Sequence, residues 1–210
     1  MSIDVIMTIE SHTDTLDAIR DSAARVGIKS SIRWQGDGAP FFIDFPFTDP
    51  DADFGDHLAT VRENEPELTV APDVERGRDL DEVIKQADKL LAHADDVIIV
   101  PKDCHPSEIP DRFRVGLTLA NYGSSAPWTL WAYRDCESIH LLGGSPGRQM
   151  TVIEHGLSVD SMDSYTLGMR CRYGMWDSGA VDAPEGWEYK KRLRESLDNY
   201  IDTVTDMAAR

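Results

Sequence analysis

Short apolar runs rich in β-branched residues alternate along the chain with longer stretches in which apolar residues recur every three or four positions. The short runs are typical of buried strands, and the longer spacing is typical of amphipathic helices. Eight strands are predicted, over Asp4–Ile9, Ser30–Trp34, Phe41–Phe45, Leu68–Ala71, Val97–Val100, Val115–Leu119, Ile139–Leu142 and Leu157–Asp160. Helices are predicted over Thr13–Val26, Asp53–Glu63, Asp79–Ala94, Pro127–Asp135, Pro146–His155 and Glu188–Ala208.

This alternation predicts an α/β protein, a small (β/α)8 TIM-like barrel that occupies residues 1–210 as a single domain, with residues 185–210 as a closing helix. The C-terminal helix is also compatible with a homodimer face. One connection does not fit. Trp34 and Phe41 are bridged by "QGDGAP", which is too short for a crossover helix, so a hairpin is predicted there and the barrel could be incomplete. The alternative is an open doubly wound sheet.

Neither the apolar runs nor the cysteines indicate a membrane or a secreted protein. No run approaches the roughly 18 residues of a membrane span. The N-terminus "MSIDVIMTIESH" lacks the basic and apolar regions of a signal peptide, so a cytoplasmic location and no membrane partner are expected. Cys104, Cys136 and Cys171 form no CxxC pair, which argues against a disulfide framework or a zinc site.

The chain is strongly acidic. Its net charge is −17, with 26 Asp and 12 Glu against 15 Arg and 6 Lys. A surface rich in aspartate and poor in lysine suits a high-salt cytoplasm, where the Debye length falls to roughly 3 Å. Under such screening an acidic protein can still bind a nucleic acid, so the charge excludes neither DNA nor RNA as a substrate.

In a parallel barrel, functional residues follow the carboxyl ends of the strands. Residues at those positions that carry polar groups or a glycine turn are Asp44, Asp73, Lys102, Asn121, Tyr122, Gly143, Gly144, Ser145 and Asp160. Asp44 is the most informative, because it lies in the apolar stretch "FFIDFPF", where desolvation would raise its pKa into the range of a general acid or base. The alternative is an edge-strand aspartate that faces water or caps a turn.

The stretch "HLLGGSPGRQM" reads as a strand, a glycine turn and a helix start. Ser145 is predicted as the N-cap and Pro146 as the first helical residue. Gly143 and Gly144 would let the backbone approach a ligand such as a phosphate or ribose. No Lys-Ser/Thr follows, so this is not a Walker loop.

The histidines give no metal-binding pattern. His140 is expected to be a hydrogen-bonded core residue, and the other five histidines form neither HxH nor HExxH. No metal and no cofactor are predicted. Arg170 lies in an aromatic-rich stretch that would either bind bases or pack as core.

The C-terminal third, "LLGGSP", a helix, a glycine, "SVDS" and "GMRCRYG", resembles the end of the tRNA-guanine transglycosylase barrel. It is closest to the shortened relatives of phages and archaeal viruses that insert 7-deazaguanines into DNA. The resemblance implies that a strand-end aspartate is the nucleophile. The phage-type pattern places it at Asp160, and the Val-Asp-x-x-Asp pattern of the tRNA enzymes places it at Asp163.

The same resemblance implies roles for residues earlier in the chain. Asp44 occupies the place of the family's general acid/base, and Asp73 that of the residue that binds the base edge. Lys102 stands where the family has a glutamine, and "LANYG", with Asn121 and Tyr122, replaces its glycine-rich turn. The zinc-binding Cys/His cluster of the tRNA enzymes is absent.

The implied function is replacement of guanine by a 7-deazaguanine, in DNA in preference to tRNA, through a covalent aspartyl-glycosyl intermediate in a halophilic archaeon or its virus. Two alternatives stay open. One is a nucleosidase or N-glycosidase that uses the same carboxylates with water as the acceptor. The other is a non-catalytic nucleic-acid-binding barrel.

Overall fold

Eight parallel strands form a closed barrel in a computed structural model that describes residues 3–9, 13–47, 49–75, 78–119, 128–177 and 181–209. Each strand pairs with the next, and the eighth pairs with the first. The strands are β1 (Asp4–Ile9), β2 (Arg25–Lys29), β3 (Phe42–Asp44), β4 (Leu68–Val70), β5 (Asp96–Ile99), β6 (Arg114–Thr118), β7 (Ile139–Leu142) and β8 (Val159–Ser164). The prediction of a (β/α)8 barrel is confirmed, and the closure excludes an open doubly wound sheet.

Helices occupy most of the connections. The α-helices of the described residues are α1 (Thr13–Arg20), α2 (Phe54–Asn64), α3 (Leu80–Leu91), α4 (Pro146–Glu154), α5 (Thr166–Arg172) and α6 (Tyr189–Ala208). The side chains of Asp53 and Asp79 accept backbone N–H groups at the starts of α2 and α3, which satisfies donors that the helix itself leaves free. The predicted C-terminal helix is present as α6, and it packs against α1, α4 and α5.

Side chains of the strands alternate between two apolar clusters. Val5 and Met7 belong to the larger cluster, between the strands and the helices, whereas Ile6 belongs to a smaller one inside the barrel. The inner cluster consists of Ile6, Phe42, Leu68, Val70, Ile98, Val100 and Leu142. The inward rows continue toward the carboxyl ends of β1 and β3 as Thr8 and Asp44, so polar groups replace apolar ones at that end of the barrel.

The prediction of a second strand over Ser30–Trp34 and of a hairpin to the third is wrong. The first helix ends at Arg20, earlier than predicted, and β2 takes up Arg25–Lys29 instead. β2 and β3 are parallel, and the residues between them form a loop in which Trp34 Nε1 donates to the Gly38 carbonyl oxygen at 2.6 Å. This loop connects β2 to β3 without a helix. All eight strands are paired, so the barrel is complete.

The eighth strand is longer than predicted, because it runs from Val159 to Ser164 rather than ending at Asp160. Its register against β7 pairs Ile139 with Val159 and His140 with Ser161, which leaves Asp160 as the extra residue of a bulge.

The prediction also missed or misassigned elements elsewhere in the second half of the chain. The predicted helix Pro127–Asp135 is reduced, within its described part, to a 3₁₀ turn at Leu130–Tyr133, and α5 and the ribbon β9 (Met175–Trp176) and β10 (Val181–Asp182) were not predicted.

Within the described ranges, no helix is both long and apolar enough to cross a membrane.

The packing inside the barrel can be tested at Gly116 of β6. A Cβ there would lie 2.7 Å from Leu142 Cδ1, 2.8 Å from Val100 Cγ2 and 2.9 Å from Ile98 Cγ2. We expect Gly116→Ala to lower the free energy of unfolding by about 1–3 kcal/mol through overpacking. The control is Gly147→Ala in α4, whose Cβ meets nothing within 4 Å, and which should stabilise by about 0.5–1 kcal/mol. Denaturant unfolding measures both, and equal effects would contradict the packing described.

Candidate active site

Asp163 lies inside the barrel, near the carboxyl end of β8, and is 8% exposed. Its Oδ1 accepts hydrogen bonds from the Gly143 backbone N–H at 3.0 Å and from His140 Nε2 at 3.2 Å. Its Oδ2 accepts the Thr8 hydroxyl at 3.2 Å. A buried carboxylate is tolerated when its lone pairs are satisfied, and three donors from β1, β7 and the turn after β7 do this here.

The glycine turn after β7 is shaped to deliver one of those donors. Gly143 and Gly144 have φ values of +64° and +82°, which favour glycine. A Cβ at Gly144 would lie 2.7 Å from Leu119 Cβ, so the turn packs closely on the end of β6. Ser145 is the N-cap of α4, with Pro146 in the first turn, as predicted. Because the Gly143 N–H is bound to Asp163, it is not free to bind the phosphate or ribose that the sequence suggested.

His140 is fully buried and hydrogen-bonded, as expected of a core histidine. Its ring stacks on Phe42, with ring centroids 5.4 Å apart. Its Nδ1 lies 2.7 Å from Ser161 Oγ, and its Nε2 faces Asp163. Burial lowers the pKa of His140 below its usual value, and the nearby Arg114 acts in the same direction, although Asp163 opposes them. The imidazole is therefore neutral at pH 7.

Gln149 of α4 forms hydrogen bonds with three other elements around the site. Its Nε2 donates to the carbonyl oxygens of Gly143 and of Asp163, both at 2.9 Å. Its Oε1 accepts the hydroxyl of Tyr200 in α6 at 2.6 Å. One buried amide therefore ties the glycine turn, β8 and the C-terminal helix together and holds the backbone of Asp163 in place.

Asp44 is the last residue of β3 and lies close enough to Asp163 to interact with it electrostatically. The residue is partly exposed, but its Oδ1 is buried and no described group donates a hydrogen bond to it. Burial, and then the negative charges of Asp163 and Asp73, raise the pKa of Asp44 well above its usual value, while Lys29 opposes the shift. The direction of this shift agrees with the one expected from the apolar sequence around Asp44, and it favours the protonated form of the carboxyl.

Asp73 and Lys102 form a buried ion pair beyond the ends of β4 and β5. Lys102 Nζ contacts Asp73 Oδ2 and lies 3.2 Å from Glu75 Oε2. Asp73 is 2% exposed, and its Oδ1 has no partner in the described part of the chain. Burial raises the pKa of Asp73 to about 6, although Lys102 opposes the shift. Because Asp73 also raises the pKa of Asp44, the two carboxyl groups and Asp163 share one end of the barrel.

Asp160 does not join this group. The sequence placed it at the carboxyl end of its strand, but it lies at the second residue of β8, in the bulge, toward the amino end of the barrel. Inward-facing positions of the strand belong to Ser161 and Asp163 instead. Arg170 lies in the last turn of α5 and is partly buried. Asn121 and Tyr122 lie outside the described residues.

Among the described residues, no group of three or more His, Cys, Asp or Glu side chains is placed to hold a metal ion.

Residues 23–204 match a family described as a family of unknown function (DUF6610). The chain belongs to this family. No curated protein matches the chain. The matched segment begins just before β2 and ends within α6, so it includes Asp44, Asp73, His140 and Asp163 but not Thr8 of β1.

Thr8, Arg114, Ser161 and Gln149 were not singled out from the sequence, and His140 was not linked to Asp163. The signal that could have linked Ser161 and His140 to Asp163 is the period of two along a strand. Counting back from Asp163 gives Ser161 on the same inward face, and counting back from Leu142 gives His140. Gln149 and Arg114 meet the other residues of the site only in the folded barrel, so no local sequence pattern identifies them.

The raised pKa of Asp44 predicts how the stability of the protein changes with pH. A carboxyl with a higher pKa in the folded state stabilises folding below its unfolded pKa of about 4, and this contribution is lost as pH rises through the folded value. We therefore expect Asp44→Asn to be more stable than the wild type at pH 8, with the difference vanishing toward pH 4. Urea unfolding across this range measures it. A variant that is less stable than the wild type at pH 8 would contradict the assignment.

The ion pair of Lys102 can be tested by a double-mutant cycle at pH 7. Lys102→Met removes the cation that contacts both Asp73 and Glu75, and we expect it to cost about 3–5 kcal/mol of unfolding free energy. In the Asp73→Asn background the same change should cost clearly less, because one of the two carboxylates is gone. Equal costs in both backgrounds would show that Lys102 and Asp73 are not coupled.

Proposed function

We propose that the protein is a guanine-transglycosylase-like enzyme that replaces guanine, in DNA in preference to tRNA, with a 7-deazaguanine. The observation that carries the proposal is that Asp163 and Asp44 lie at the carboxyl end of the barrel, within electrostatic range of each other. The Asp163 carboxyl accepts three hydrogen bonds, and the Asp44 carboxyl has a raised pKa and a buried oxygen for which the described residues provide no partner. Base exchange at a sugar requires this pair, a nucleophile and a general acid/base.

Asp163 rather than Asp160 is the nucleophile in this proposal. The Val-Asp-x-x-Asp pattern of the tRNA enzymes corresponds to Val159, Asp160 and Asp163 in this chain. The second aspartate of the pattern is the one that points into the barrel beside Asp44. The tRNA-type register of the resemblance therefore fits the geometry of β8, and the phage-type register does not.

The proposed reaction has two displacements at C1′ of the target nucleotide, which must first leave the base stack. In the first, Asp163 Oδ2 forms a bond to C1′ as the bond to guanine N9 breaks, and Asp44 gives its proton to the departing guanine. In the second, Asp44 takes the N9 proton of the 7-deazaguanine, and that nitrogen attacks C1′ and releases the Asp163 carboxylate. Both carboxyl groups return to their starting states.

Asp73 and Lys102 are proposed to bind the edge of the base. Guanine and its 7-deaza analogues present N1–H and N2–H donors next to the O6 acceptor. Asp73 Oδ1 is a buried acceptor with no described partner, and the Lys102 ammonium is a donor held beside it. This order of acceptor and donor complements the edge of guanine, with the lysine in the place of the family's glutamine.

The proposal is tested by incorporation of labelled guanine or its 7-deaza analogues into tRNA and duplex DNA. The assay is run at high salt, which screens the repulsion between a chain of charge −17 and a polyanion. We expect Asp163→Asn to lower the rate by at least about 10³-fold and Asp44→Asn by about 10²–10⁴-fold. Asp160→Asn is the matched control on the same strand and should leave the rate unchanged.

Other outcomes of the assay would indicate a different nucleophile or a different function. Loss of activity in Asp160→Asn with retention in Asp163→Asn would return the nucleophile to Asp160. Release of free guanine without incorporation would identify an N-glycosidase that uses water as the acceptor. Neither release nor incorporation by the folded protein would contradict the proposal and favour a non-catalytic barrel.

A further inference from the structure

A continuous chain of polar contacts runs through the barrel from its amino end to Asp163. Arg114, the first residue of β6, donates from Nε and Nη2 to Asp96 Oδ2 of β5, at 2.9 and 2.7 Å. Its Nη1 donates to Ser161 Oγ. Ser161 Oγ contacts His140 Nδ1 at 2.7 Å, and His140 Nε2 contacts Asp163 Oδ1 at 3.2 Å.

The chemistry of these groups allows one satisfied arrangement of protons. A guanidinium has no acceptor, so Ser161 Oγ must accept from Arg114. Of the two described contacts of Ser161 Oγ, His140 Nδ1 is the one that can accept the hydroxyl proton, and it must be unprotonated to do so. A neutral imidazole carries its proton on the other nitrogen, so Nε2–H points at Asp163 Oδ1. The opposite tautomer would set the Nε2 lone pair against the carboxylate and leave the Ser161 proton without an acceptor among its described contacts.

We propose that Arg114 and Ser161 fix His140 as its Nε2–H tautomer, and that His140 in turn positions Asp163 so that Oδ2 is the attacking oxygen. The second half of this inference rests on the proposed function. Oδ1 accepts two hydrogen bonds, from Gly143 and His140, whereas Oδ2 accepts one, from Thr8. The oxygen with fewer hydrogen bonds, Oδ2, is the better nucleophile. Oδ1 is held in place by the Gly143 backbone and the His140 imidazole.

The same donors act on the second displacement. After Oδ2 has bonded to C1′, Oδ1 is the carbonyl oxygen of an aspartyl ester, and negative charge returns to it as the C1′–Oδ2 bond breaks. Two preorganised N–H groups directed at this oxygen stabilise the leaving carboxylate without rearrangement. His140 is a positioning residue in this scheme, because it acts through Asp163 and transfers no proton.

The tautomer is read directly by ¹⁵N NMR of protein labelled at histidine, with the His140 signals assigned by their loss in His140→Gln. We expect an unprotonated Nδ1 and a protonated Nε2. To separate the relay from the charge of Asp163, the spectrum is repeated in Asp163→Asn, whose carbonyl oxygen can still accept from the Gly143 N–H. The relay predicts that Nε2–H persists there and that adding Ser161→Ala gives a mixture of tautomers. A protonated Nδ1 in the wild type, or in Asp163→Asn alone, would overturn the relay.

The kinetic arm compares His140→Gln with His140→Leu in the incorporation assay. The glutamine amide can still donate toward Asp163, whereas leucine cannot. We expect His140→Leu to lower kcat by about 10²-fold with little change in KM for the base, and His140→Gln to recover most of the loss. Ser161→Ala, a smaller change, should lower kcat in the same way if His140→Leu fails to fold. Equal losses in the leucine and glutamine variants, or an effect on KM alone, would overturn the positioning role.

The two arms distinguish failure of this inference from failure of the proposed function. Incorporation with a protonated Nδ1 would keep the function and overturn the inference. A protonated Nε2 in a folded protein that exchanges no base would support the relay, while overturning the proposed function and with it the role of Oδ2.

Discussion

The carboxylate of Asp163, buried inside a closed barrel, is the constraint that the surrounding structure satisfies. A carboxylate in this position is costly unless its oxygens accept hydrogen bonds from groups already in place. Three elements that are distant in sequence supply them, namely Thr8 of β1, His140 of β7 and the Gly143 turn that leads into α4. The closure of β8 on β1 is what brings Thr8 to the same oxygen pair. Barrel closure and the chemistry of the site are therefore parts of one arrangement.

The aspartates of this chain serve two different purposes. Many of the 26 lie on the surface, where they contribute to a net charge of −17 and cap helices such as α2 and α3. Asp44, Asp73 and Asp163 lie at one end of the barrel in environments that differ from each other. Asp163 is bound by hydrogen-bond donors, Asp73 is paired with Lys102, and one oxygen of Asp44 has no donor among the residues that the structure describes. Unequal environments allow similar carboxyl groups to take different chemical roles.

The sequence predicted the architecture well because the apolar runs repeat at the spacing of strands and helices. It failed where a short element had no distinctive pattern. The prediction placed Val26 in a helix and Ile28 in a loop, although both residues lie in β2. Polar residues on an inward face were the second cause of error. "VDSMDS" does not look like a buried strand, so β8 was ended at Asp160, which placed Asp160 instead of Asp163 near its carboxyl end. The bulge that displaces Asp160 depends on the register with β7, which no local pattern encodes.

Asp44 was predicted correctly as a carboxyl with a raised pKa, because the largest cause of the shift is burial, which the apolar residues around it in sequence indicate. The contacts of Asp163 could not be predicted in the same way. They depend on the end of β1, on a glycine turn and on a histidine that faces inward from the adjacent strand. His140 was correctly expected to be a satisfied core residue, but its partner was visible only once β7 and β8 were aligned.

The proposed nucleophile is tested most directly by quenching the protein in denaturant during reaction with a guanine-containing oligonucleotide and locating the covalent adduct by proteolysis and mass spectrometry. If Asp163 is the nucleophile, the peptide that contains both Asp160 and Asp163 carries a glycosyl ester, and fragmentation places it on Asp163. An adduct on Asp160 or on another side chain would contradict this role of Asp163, as would exchange of bases with no adduct formed.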